Sequence, residues 1–178
     1  GYGCDTLRGI SRGMAEEGRG TAVTEDALSL KAMPRGLLEA LQAHGYSLTP
    51  LAFAGADMAK DGELRSSFLL FSEDILLFAL HRNRESTAEF GAGYAEKSVN
   101  AKDLTEIYQW PLRQLANPKI LNQVVGGLLT IDIDGEETWI CRFSSSRMRE
   151  MRRFVDRLAH LLDPSHVLPE EAEREDDH

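Results

Sequence analysis

The sequence predicts an α+β protein that is mainly β, with six or seven antiparallel strands in succession, then one amphipathic helix, then an acidic tail. Three features predict this order. Short apolar runs are punctuated by turn residues, as in FLLFSEDILLFAL over 68–80. An Asp134-Gly135 pair divides two alternating segments. The late run MREMRRFVDRLAHLL carries its apolar residues at spacings of three and four, the period of a helix with one buried face.

A length of 178 residues suits one domain with some tail, enough to bury a core without disulfide staples. The chain is 42% hydrophobic and 28% charged, a globular composition. Its net charge of -9 argues against general nucleic-acid binding, which needs a broad basic surface to displace counterions. Cys4 and Cys141 are too far apart in sequence for a disulfide framework or a common zinc motif. They fit a reducing cytosol, so a cytoplasmic location is expected, with peripheral membrane attachment as the alternative. The apolar blocks fall short of the roughly 20 residues that a spanning helix needs. The start, GYGCDTLRGISRGMAEEGRG, has neither the apolar stretch of a secretory signal nor an initiator Met and reads as a fragment or a processed end. Four regions are expected: a flexible glycine-rich leader over 1–32, a short helix over 33–45, a β-rich domain over 46–162 and an acidic tail over 163–178.

In MPRGLLEALQAHG, Pro34 sits near the first turn and Gly45 just past the last, the usual asymmetry of a short helix. LTPLAFAGADM and LRSSFLLF then read as a strand pair turning at Asp61-Gly62. FLLF and ILLFAL read as a second hairpin rather than one helix, because a continuous helix would bury Glu73 and Asp74 between apolar turns. The polar, glycine-containing stretch 82–98 reads as a loop with room for a short strand near its end. IYQWPLRQL offers one strand, with Pro111 marking an edge or a bulge. LLTIDIDGEETWICRF gives the clearest hairpin, with Leu129, Ile131 and Ile133 on one side of the turn and Trp139, Cys141 and Phe143 on the other. The closing helix begins after serines suited to N-capping. Met148, Met151, Val155, Leu158 and Leu162 form its stripe, widened by Phe154 and Leu161.

This order, together with LAFAGADMAKDGELRSSFLLFSEDILLFAL, YQWPLRQL and TWICRFSSSRMREMRRFVDRL, resembles the pleckstrin-homology domain over roughly residues 46–162, especially those accompanying Dbl-type exchange factors. Phe154 stands where the family usually has Trp. The resemblance implies a two-sheet antiparallel β-sandwich, or partly open barrel, of about seven strands capped by the C-terminal helix, with the open end of strand loops as the binding surface. Family members that bind phosphoinositides place Lys and Arg between the first two strands. Here Lys60 and Arg65 are present, but Asp61 and Glu63 lie between them and Ser67 replaces the motif's Arg.

The candidate anion-binding set is therefore Lys60 and Arg65 with Arg82 and Arg84 beside His81, a histidine at a strand end where a cationic loop and a catalytic role are equally open. A second set, Arg149, Arg152 and Arg153 on the outward face of the closing helix, is the candidate protein-binding surface. Asp132, Asp134 and Glu136 superficially match the opening of a calcium loop, but Glu137 and Phe143 occupy the positions where such a loop needs Gly and Glu. GAGYAEKS lacks the glycine that a phosphate loop needs before Lys97. The histidines show no metal-ligand spacing, and no serine sits in a nucleophile elbow. The expected function is a non-catalytic module docking a protein partner in a signalling assembly, in the setting of small-GTPase regulation, with no cofactor and no metal. Phosphoinositide-directed membrane recruitment is one alternative. A divalent-metal enzyme using Asp132 and Asp134 is the other.

Overall fold

The computed structural model describes residues 29–82 and 95–166. The acidic run after His166, most of the glycine-rich leader, Cys4 and Arg84 lie outside the described residues. Helix α1 (Leu37–Ala43) is followed by β1 (Ala52–Met58), β2 (Leu64–Phe71), β3 (Ile75–His81), β4 (Leu104–Pro111), β5 (Leu115–Asn122), β6 (Gly127–Ile133), β7 (Glu136–Phe143) and helix α2 (Met148–Leu162). The strands form one seven-stranded sheet in the order β4-β3-β2-β1-β7-β6-β5, antiparallel at every pairing. The sheet is not closed: β4 and β5 follow one another in the chain but occupy opposite ends of that order. Its two halves meet at a single register pair, Met58 with Arg142. A mainly β α+β fold with a C-terminal helix is thus what the chain adopts.

FLLFSEDILLFAL forms two strands because both faces of this hairpin are buried. Leu69, Phe71, Leu76, Phe78 and Leu80 face a core shared with β6, β7 and α2. Phe68, Leu70, Leu77 and Ala79 face a second core built with Leu37, Ala40 and Leu41 of α1. A strand covered on both sides has no reason to alternate, which is why its pattern alone is ambiguous. Ser72 makes the turn, its Oγ accepting the N–H groups of Asp74 and Ile75 at 3.2 Å each. Glu73 and Asp74 stay exposed.

The expected leader is attached to the body at its end. Ser29 Oγ accepts the Phe53 N–H at 2.9 Å and donates to the Phe53 carbonyl at 3.2 Å, while Leu30 and Met33 pack on the second core. Helix α1 ends as expected, with Gly45 at φ 89°.

IYQWPLRQL divides between two strands. β4 ends at Pro111, Leu112–Gln114 forms a 3-10 turn, and LANPKILN makes β5. The sequence hides β5 because Asn117 and Pro118 interrupt it. Asn117 sits at φ 50°, and the pairing with β6 shifts register between Ala116 and Lys119.

A second shift corrects the expected alternation in β7. Leu129 pairs with Cys141 but Thr130 pairs with Trp139, so β7 carries one extra residue there. A bulge inverts which side chains face inward beyond it. Ile140 is buried beside Cys141, and Trp139 is 54% exposed instead of lying in the core. The turn itself is as expected, with Asp134 at φ 52° and Gly135 at φ 87°, the geometry of a type I′ hairpin.

On α2, Met151, Phe154, Val155 and Leu158 are buried, while Leu161 is exposed and does not widen the stripe. Phe154 meets Phe71 edge-on at 5.1 Å between ring centroids. The serines before α2 do not cap it by side-chain hydrogen bonds. Ser144 instead binds the buried carboxylate of Asp57 on β1, giving its N–H to Oδ1 at 2.8 Å and its hydroxyl to Oδ2. That pair ties β1 to the junction between β7 and α2.

Candidate functional site

The β1–β2 turn, β3, β4 and β7 enclose a groove of about 380 Å³. Strand alternation supplies its aromatic wall. Tyr108 and Trp110 are two residues apart on β4 and therefore share a face, and Phe78 lies opposite Tyr108 on β3. The three rings form a row, Phe78 to Tyr108 at 6.3 Å and Tyr108 to Trp110 at 6.1 Å, with planes within 21° and 8° of parallel. Trp139, turned outward by the β7 bulge, also lines the groove. Tyr108 is 44% exposed. Both tryptophans of the chain thus line a single surface.

Charge in this groove is balanced. Lys60 and Arg65 line it together with Asp61 and Glu106. Arg65 is committed to the fold, its Nε donating to the His81 carbonyl and its Nη2 to Thr105 Oγ1, both at 2.7 Å. The Tyr108 hydroxyl donates to Glu106 Oε1 at 2.7 Å. That bond and the neighbouring negative charge hold the phenol above its ordinary pKa, with burial adding to the shift.

The expected anion-binding set does not assemble as one site. Lys60 and Arg65 share the groove, but Arg82 pairs with Asp103 at 2.9 Å, and Arg84 lies outside the described residues. Ser67, at the position of the motif's Arg, is wholly buried on β2. His81 is the last residue of β3. It is 2% exposed, its Nδ1 is 3.1 Å from the Arg82 carbonyl, and its Nε2 lies 3.9 Å from Glu96 and 4.0 Å from Asp103. Burial acts to raise the Asp103 carboxyl. The Asn100 N–H, the Arg82 guanidinium and the charge of His81 outweigh it and hold the group below its ordinary pKa.

The helix set divides as well. Arg149 and Arg153 line a second groove, between α2 and the start of β1, whereas Arg152 does not. Arg157 lines that groove too; its spacing of four from Arg153 was a legible signal that the sequence reading passed over. Asp132 accepts the Asn117 side-chain N–H at 2.8 Å, and its neighbours belong to the hairpin turn. Among the described residues, no group of three or more His, Cys, Asp or Glu side chains is placed to hold a metal ion, and no helix is long and apolar enough to cross a membrane. Cys141 is fully buried, and burial followed by the negative charge of Asp57 drives its thiol pKa far up, so the nucleophilic thiolate is disfavoured.

Compared with known protein families, curated proteins and solved structures, the chain matches none of them.

Proposed function

We propose that this protein is a non-catalytic interaction module of pleckstrin-homology type that docks a partner protein through the aromatic groove at the open end of its sheet. The observation that carries this reading is the row of Phe78, Tyr108 and Trp110 facing Trp139 across a groove with balanced charge. Exposed Trp and Tyr are costly on a free surface and are the residues that anchor interfaces. The occupant we assign is an extended, weakly charged, proline-containing segment. Such a segment has no internal hydrogen bonds and little ordering entropy left to lose, and aromatic-lined grooves receive it.

Phosphoinositide recruitment is disfavoured by the same geometry. Arg65 is engaged within the fold, and Asp61 and Glu106 would face any headgroup seated beside Lys60. A role in regulating a small GTPase belongs to this proposal as its setting and rests on the resemblance alone. The test is selection of a proline-containing 12-residue peptide library on the immobilised protein, repeated with Trp139→Ala, alongside sedimentation with phosphatidylcholine vesicles carrying phosphatidylinositol bisphosphate. Peptides enriched on the native chain and lost with Trp139→Ala support the reading. No enrichment, or sedimentation that depends on Lys60, overturns it.

A further inference from the structure

The groove beneath α2 has a chemistry opposite to that of the aromatic groove. About 440 Å³ in volume, it is lined on the helix side by Arg149, Arg153 and Arg157, and its lining also includes Ser29, Ala32 and Ser146 with the nearly buried Ala52, Phe53 and Phe154. The arginines recur every fourth residue, so their Cα positions advance about 6 Å per step along the helix. Residues 147–157 carry five arginines against Glu150 and Asp156, a local net of +3 in a chain of net charge -9. Like charges four residues apart repel, and cations in the first turn of a helix oppose its dipole.

Glu150, the carboxylate that lines this groove, is turned to other partners. Its Oε1 accepts the Gly55 N–H and its Oε2 the Arg147 guanidinium, each at 3.2 Å. Arg153 and Arg157 already hold interactions within the chain. A guanidinium nevertheless carries five N–H donors and binds carboxylates as a fork, so an incoming anion does not require an unpartnered arginine.

We infer that this second groove docks an extended acidic segment of a partner protein, with carboxylates at alternate positions and small apolar side chains between them. In an extended chain, side chains two residues apart lie on one face about 6.6 Å apart, close to the advance between successive arginines. The intervening side chains then point away from the arginines, where small apolar residues suffice. The chain's own segment 171–175, Glu-Ala-Glu-Arg-Glu, has the alternating carboxylates but brings the cationic Arg174 to a groove that already carries three arginines. A partner chain fits the groove better.

The probe is a fluorescein-labelled peptide, Glu-Val-Glu-Ala-Glu-Val, titrated with the full chain and followed by anisotropy. Its Gln-Val-Gln-Ala-Gln-Val counterpart is the control. We expect the acidic peptide alone to bind, and to weaken at least about tenfold when salt rises from about 50 to 200 mM, since exposed charge contacts are screened. Arg153→Glu should cost at least about tenfold by removing a forked carboxylate contact. Arg152→Glu makes the same change of charge outside the groove and should cost less than about threefold, because a more distant exposed charge is screened. Thermal melts check that both variants fold.

Several results would overturn the inference. These are equal loss in the two variants, equal binding of the two peptides, or no binding by either. Binding seen only when Glu171, Glu173 and Glu175 are all replaced by Gln would assign the groove to the chain's own acidic run instead of a partner.

Discussion

Phe154 and Trp139 are both large aromatic residues in segments that read as amphipathic, yet one is 2% and the other 54% exposed. The helix period placed Phe154 correctly, because α2 has no irregularity to shift its phase. Strand alternation misplaced Trp139, because one extra residue in β7 reverses the face and nothing in TWICRF announces a bulge. Phe154→Ala should therefore destabilise the protein by about 3–5 kcal/mol, the range for truncating a core aromatic. Arg152→Ala should change stability by no more than about 0.5 kcal/mol. Equal shifts of the urea midpoint at both positions would refute the packing of α2 on Phe71. The Asp57 and Ser144 pair was not legible, since the residues lie 87 apart in sequence and a serine before a helix reads as a cap. Asp57→Ala should cost about 1–3 kcal/mol by leaving a buried N–H without its acceptor; denaturant titration at neutral pH measures it, and a loss below about 0.5 kcal/mol would contradict the tether.

At the scale of elements, six of the seven strands were legible, five of them in hairpins with turn chemistry between the strands. β5 was not, because a strand containing Asn117 and Pro118 violates the local rules and is held by tertiary pairing with β6. The segment ahead of β4 is fastened to the end of β3 by Arg82, His81 and Asp103. This contact should show in acid. A carboxyl whose folded pKa lies below its unfolded value of 3.8 contributes stability that is present above that value and is lost as pH falls through the folded pKa. Urea titrations across acid pH should show the native protein losing stability below about pH 4. Asp103→Asn should show a shallower loss over the same range. Identical slopes would mean that Asp103 does not hold this segment. Gly127→Ala tests the β5–β6 turn region: a Cβ there would come within 2.7 Å of the Phe143 ring. Overpacking of a buried contact should cost about 1–3 kcal/mol, read as a lowered melting temperature; an unchanged melt would contradict this packing.

For the whole molecule, the order of strands and closing helix was readable, and the arrangement of its surfaces was not. Lys60 and Arg65 line one groove, but Arg82 pairs with Asp103, and of the helix arginines Arg149 and Arg153 line the second groove while Arg152 does not. The aromatic groove draws on β3, β4 and β7, three strands whose side chains meet only after the sheet forms. No window of sequence contains it. Its function as a protein-docking surface is the central claim, and the position of both tryptophans in one groove makes it directly measurable. In an NMR titration of the 15N-labelled protein with a selected proline-containing peptide, both indole N–H resonances should shift along one saturation curve, with inositol bisphosphate headgroup causing no comparable change. Shifts of both indoles with the headgroup, while the peptide leaves them in place, would contradict it.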